Sequence, residues 1–344
     1  MSPHASRRIA MAIVRACLLA LAVLLAARAD AAGVSVLQVP ADADGPALQG
    51  LVWTPCRVPN AEVVLGSHVV PGVRDCPIST RQSPLVVVSH GYGGSSLGHH
   101  DTAEALADAG FIVAAIDHSG DNYRLRGGPG DHVSALATRT VDIRRLIDYM
   151  LRQWPSREHL AAGQVGFFGF SRGGYTGLVL AGARPDFARL APPPGSPCAT
   201  APEGPACAPM RHDFQALLAA PLAHDPRIKA AVIADPLSAV FAADGLAAVD
   251  IPIQLWASER GGDGVAPADV DNVRRGLKTP PDWHVARNAA HFAFLAPCAP
   301  AQLAALPEIC RDAAGFDRAA FHAAFDGQVL DFFRRRLGEP VPAD

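Results

Sequence analysis

Apolar positions along this chain switch between two periods in a regular order. Pro84–His90 is a continuous β-branched run, the mark of a central strand buried on both faces. It ends in the glycine-rich stretch His90-Gly91-Tyr92-Gly93-Gly94-Ser95, after which Asp101–Gly110 reads as a helix closed by glycine. Phe111–Asp117 repeats the strand pattern and leads into a polar loop, 118–131. Val133–Trp154 carries apolar residues at helical spacing (Val141, Leu146, Tyr149, Met150). Val165–Phe170 reads as a third buried strand and Gly174–Ala183 as a helix of small residues packed close to the sheet. Strand and helix alternating three times predict an α/β fold, a mostly parallel, doubly wound sheet with helices on both faces and right-handed crossovers.

Upstream, Val34–Val39, Leu51–Thr54 and Val63–Val70 read as further strands amid turn-rich sequence. Downstream, residues 184–227 break the rhythm, with ten prolines and two cysteines. A loop of that length in a compact domain is read as a cap inserted over the site. The alternation resumes with strands at Ile228–Ala234 and Ile251–Ala257, a helix at Asp269–Leu277, a last strand at Trp283–Arg287 and a closing amphipathic helix at Phe316–Leu337. No internal repeat is evident.

The 344 residues are 49% hydrophobic and 18% charged, with a formal net charge of −3, a globular composition that argues against nucleic acid as a partner. Residues 1–31 stand apart. Arg7, Arg8 and Arg15 precede an apolar run from Ala16 to Ala27, and Ala29-Asp30-Ala31 has the A-x-A cleavage form. The run is too short for a stable membrane span, so 1–31 is read as a secretory signal peptide and 32–344 as a periplasmic or secreted domain. Beyond that segment lie Cys56, Cys76, Cys198, Cys207, Cys298 and Cys310, an even count in an exported chain, which predicts disulfides. Sequence-adjacent pairing closes three short loops and is the expected connectivity. No C-x-x-C pair points to zinc or redox chemistry.

The chemistry gathers at Gly169-Phe170-Ser171-Arg172-Gly173, a G-x-S-x-G match with a strand before it and a helix after it. Such a turn strains the serine backbone and presents its hydroxyl above the sheet edge. A serine hydroxyl needs a base, and in this arrangement the acid and then the histidine follow on loops after later strands. His291 lies in the loop after the last strand. His284 falls within that strand, His322 on the closing helix, and His212 and His224 in the insertion. Three carboxylates are weighed as the group that orients His291. Asp263, four residues before Pro267 in the loop after the penultimate strand, is preferred. Asp235, ending the strand before that, is the alternative, and Glu259 the third choice. The oxyanion donors are expected to be the backbone amides of Arg172 and Tyr92. Tyr123, Tyr175, Phe241 and Trp256 either line a pocket or fill the core, with core the reading for Trp256.

Taken together, the 90–95 loop, the 169–174 elbow and Asn288–Leu295 resemble the exported bacterial α/β-hydrolases termed predicted dienelactone hydrolases, relatives of platelet-activating-factor acetylhydrolase and, more distantly, of cutinase-like polyesterases. The resemblance spans roughly 34–338. It implies the α/β-hydrolase fold and a serine hydrolase cleaving small-molecule or lipid-like carboxylic esters through an acyl-enzyme, without metal or organic cofactor. Dienelactone hydrolase itself uses cysteine where this chain has Ser171. The relatives also disagree over the acid, since the acetylhydrolase pattern selects Asp235 and the polyesterase pattern Asp263. The competing readings are an amidase or peptidase with the same machinery, and a binding protein that has kept the fold without the activity.

Overall fold

The structure, a computed structural model, describes residues 30–343 apart from 60, 66–67, 128–131 and 193–194. The segment read as a signal peptide therefore lies outside the described residues, except for its last two positions at the start of the first strand. The strands are β1 (Asp30–Val39), β2 (Leu48–Pro59), β3 (Ala61–Leu65), β4 (His68–Arg74), β5 (Thr80–Ser89), β6 (Ile112–Ile116), β7 (Leu160–Phe170), β8 (Ile228–Ala234), β9 (Ile253–Ser258), β10 (Asp282–Ala286) and β11 (Val341–Pro342). The stretch expected as one strand at 63–70 instead contributes to two, because β3 and β4 pair antiparallel with Val63 opposite Val70.

The sheet order is β10-β9-β8-β7-β5-β6-β2-β1-β4-β3, with β11 pairing β5. From β6 through β10 the neighbours run parallel, while β2 joins β6 antiparallel and β1 joins β2 the same way. Residues β5 and β7 sit in the middle because they are apolar on both faces and need cover on both. That cover comes from α1 (His100–Asp108), α2 (Ala135–Arg152), α3 (Arg172–Leu180), α4 (Ala208–Ala219), α5 (Pro267–Gly276) and α6 (Arg318–Leu337).

Alternate strand residues feed two cores. Leu85, Val87, Phe167 and Ile233 face α2, α3 and α5, where Ile143, Leu146, Leu178 and Val270 are buried. Their neighbours Val86, Val88, Phe168 and Val232 face α1 and α6, where Leu106, Phe325, Phe332 and Phe333 are buried. Each fully buried phenylalanine contributes on the order of 2 kcal/mol of transfer free energy, which makes α6 a structural lid over that face. Trp256 belongs to this second core, against Phe294, Phe321 and Phe325.

Residues 184–227 are not a bare loop. They hold the twelve-residue helix α4 as well as short turns at Pro197–Thr200 and Pro205–Cys207. Leu217 is buried in the first core, and Asp213 accepts hydrogen bonds from the backbone N–H of Val133 and the Ser134 hydroxyl at the start of α2. The insertion is thus anchored to α2, with its proline-rich turns stapled by Cys198–Cys207. Cys56–Cys76 and Cys298–Cys310 complete the expected pairing. Among the described residues, no helix is long and apolar enough to cross a membrane.

Candidate active site

Ser171 occupies the bend between β7 and α3 with φ 55° and ψ −118°, a conformation that non-glycine residues rarely adopt. Close packing at the elbow explains the two glycines. A Cβ on Gly169 would collide with the Gly173 carbonyl, and one on Gly173 with the Ser89 carbonyl. The strained turn is held by hydrogen bonds from Ser171 N–H to Ala234 O at 3.0 Å and from Leu237 N–H to Ser171 O at 3.0 Å. The backbone of Ser171 is therefore tied to the end of β8 and the turn that follows it.

That turn carries Asp235, which is also at positive φ (42°) and has no exposed surface. Its carboxylate accepts three hydrogen bonds: from Ser258 N–H at 2.8 Å, from Ser258 Oγ at 2.7 Å, and from His291 Nδ1 at 2.7 Å. A buried carboxylate needs such partners to remain ionised. Ser258 Oγ in turn accepts from Gly261 N–H at 3.1 Å, so the end of β9 helps to aim the aspartate. His291 begins the turn after β10, and Phe170, the residue before the serine, stacks on its ring at 4.6 Å. With Nδ1 donating to Asp235, Nε2 is the acceptor nitrogen. It is buried and has no hydrogen-bond partner among the described residues. Ser171, Asp235 and His291 thus follow the C-terminal ends of β7, β8 and β10, the edge of the parallel sheet where ligands bind in open α/β folds.

Asp263, the carboxylate preferred from sequence, is not part of this cluster. It stands exposed at φ 48° in the turn after β9 and makes no hydrogen bond or ion pair with a described residue, while Asp235 holds the only His291 nitrogen that an orienting acid would take. The physical reason lies in the backbone. Gly261 N–H bonds back to Ser258, and Gly262 N–H and Val265 N–H bond each other's carbonyls, which curls the tip bearing Asp263 into solvent. Glu259 is engaged elsewhere, accepting from Arg287 and from the backbone N–H of Asn288.

Beneath the 90–95 loop lies a buried polar network that the sequence did not disclose. Arg139, fully buried on α2, donates to Asp121 at 2.7 Å, to Thr176 on α3 at 3.2 Å and to the His90 carbonyl. Asp121 also accepts from Gly93 N–H at 2.8 Å and from Arg172 at 3.1 Å. Burial pushes its carboxyl upward, but the two guanidiniums outweigh this and bring it down to about 2. The Arg172 guanidinium lies 4.4 Å from the centre of the Tyr92 ring. This network locks Tyr92 and Arg172, the two expected amide donors, to each other and to the nucleophile helix. His118 joins it by bonding Ser89 at 2.8 Å and Asp142 at 3.2 Å, and burial holds its ring below the ordinary histidine range. The only sequence signal was that Asp121 falls in a loop after a strand, which is true of several aspartates.

Strand order, the elbow at Ser171, and the turns bearing Asp235 and His291 after β8 and β10 together decide the fold. The chain adopts the α/β-hydrolase fold. Comparison with known proteins agrees: the sequence model of a hydrolase family described as serine aminopeptidase, S33, matches residues 80–201, from β5 through the elbow into the insertion. A ferulic acid esterase from Streptomyces cinnamoneus is similar in structure with a TM-score of 0.59 at 19% identity, over 92% of this chain and 93% of that one. A dienelactone hydrolase from Anabaena variabilis has a TM-score of 0.50 at 17% identity, over 89% of this chain and 99% of that one. At such identities the likeness speaks for the α/β-hydrolase fold alone. No curated protein matches the chain in sequence.

Proposed function

We propose that this α/β-hydrolase is an exported serine esterase that cleaves carboxylic esters through an acyl-enzyme. The observation that carries the reading is the buried His291–Asp235 pair, with Nε2 left without a partner among the described residues and the ring stacked on Phe170, the residue before a serine held in a strained elbow. Ser171 Oγ attacks the ester carbonyl and gives its proton to His291 Nε2. The resulting imidazolium is stabilised by Asp235 and protonates the departing alcohol. The backbone N–H groups of Arg172 and Tyr92 stabilise the oxyanion. Water then repeats the cycle to release the acid. Ser171 Oγ and His291 Nε2 share no hydrogen bond in the structure, and such contacts commonly tighten only once substrate is bound.

Support for esters comes from the neighbours in fold, which are named as an esterase and a dienelactone hydrolase. Export is supported by three disulfides, which persist in oxidising compartments. A second reading, an amidase or peptidase, is favoured by the description of the family model that covers the elbow. Parallel assays on p-nitrophenyl acetate and on amino-acid p-nitroanilides separate the two. Ester turnover with no anilide cleavage supports the proposal, and the reverse outcome overturns it. A fluorophosphonate probe that leaves Ser171 unlabelled would reject both in favour of a binding protein.

A further inference from the structure

A second histidine–carboxylate cluster lies on the opposite flank of the same histidine turn. His322 and Asp326 stand one helical turn apart on α6, and Asp101 lies in the first turn of α1, which packs against α6. One donor atom from each of the three lies within 4.8 Å of the other two. His322 is 3% exposed. Its Nε2 bonds the Ala293 carbonyl at 2.9 Å, and because a carbonyl can only accept, that nitrogen carries the proton. Nδ1 then points into the cluster, 2.6 Å from Asp101 Oδ2. The two form an ion pair whose angles fall outside hydrogen-bond geometry, and neither atom has a hydrogen-bond partner elsewhere among the described residues.

We infer that Asp101, His322 and Asp326 form a site for a divalent transition-metal cation such as Zn²⁺. The arrangement has the parts that a metal site needs around its ligands. The ring nitrogen facing away from the cluster is fixed by a backbone carbonyl, and Asp326 accepts from the Thr102 hydroxyl at 2.6 Å, which holds that carboxylate in place. Zn–N and Zn–O bonds of about 2.0–2.2 Å place ligand atoms roughly 3–4 Å apart, within reach of small side-chain rotations here. An imidazole among the ligands favours zinc-like cations over Ca²⁺ and Mg²⁺, which take oxygen ligands. A surface recess of about 250 Å³, lined by Ala32, Pro71, Glu104, Ala105 and Asp108, reaches the cluster at Asp101. Because His322 holds Ala293, two residues after His291, a bound metal would brace the turn that carries the proposed base.

The test uses tag-free, EDTA-treated full-length mature protein titrated with ZnCl₂ by calorimetry, with CaCl₂ in parallel. The expected result is saturable binding of Zn²⁺ at one site per chain, no comparable binding of Ca²⁺, and a rise of about 5 °C in Tm at a hundredfold excess over Kd. Asp326→Asn, which keeps side-chain shape, should lose this binding, whereas His291→Ala should retain it. Absence of Zn²⁺ binding by the unaltered protein overturns the inference, as does binding that survives Asp326→Asn or is lost in His291→Ala. Should Asp326→Asn fail to fold, His322→Gln takes its place, with the same loss expected.

Discussion

Asp235 and Asp263 begin from similar circumstances and end in opposite ones. Each sits in the turn after a parallel strand, and each adopts a left-handed backbone, with φ of 42° and 48°. Asp235 is wholly buried with three hydrogen-bond donors around its carboxylate, whereas Asp263 is exposed with none from a described residue. Backbone strain alone therefore does not decide which carboxylate is buried against a histidine. What separates the two is the direction in which the turn throws the side chain, and that is set by Ser258. Its N–H and hydroxyl face Asp235, while the hydroxyl also captures Gly261 N–H and folds the rest of the β9 turn away.

This contrast can be broken or sharpened by substitution. Ser171→Ala sets the scale and should lower kcat on p-nitrophenyl acetate by about 10⁶. Asp235→Asn should cost about 10⁴, because an amide at that place favours the wrong imidazole tautomer. Activity near that of the unaltered protein would remove Asp235 from the mechanism.

A third loop aspartate, Asp121, separates burial from contact with His291. Its carboxyl is held at about 2, below its ordinary value, by Arg139 and Arg172. Its contribution to stability is therefore complete above pH ~4 and lost as pH falls towards ~2, on the order of 2 kcal/mol in all. Urea unfolding across that window should show the loss, and Asp121→Asn should flatten it. Ser258→Ala should reduce kcat about tenfold, because it removes one hydrogen bond to a charged group but leaves the Ser258 N–H. Asp263→Asn should change kcat by less than about twofold. A fall of several orders of magnitude there would invert the comparison.

Much of the architecture was legible because buried parallel strands must be apolar on both faces. The runs at 84–90, 111–117, 165–170 and 228–234 stand out on that ground, and each lies within or around an observed strand. The hairpin of β3 and β4 reads as one strand over 63–70 because paired valines, 63–64 and 69–70, stand at both ends of that stretch. Helix α4 was hidden by the prolines that surround it. The elbow could be read because its glycines answer to steric contact between segments close in sequence or adjacent in the sheet.

Legible in the residues alone were the periods of the strands β5 to β10, the bend at Ser171, the histidine after β10, and a cysteine spacing that matches the three observed pairs. Only the tertiary structure decided which carboxylate meets His291, that Arg139 and Asp121 hold the 90–95 loop, and that His322 closes on Asp101 from another helix. The reason is one of range. Periodicity and turn chemistry are local properties of the chain, whereas the aim of a buried polar side chain depends on donors brought from strands and helices far away in sequence.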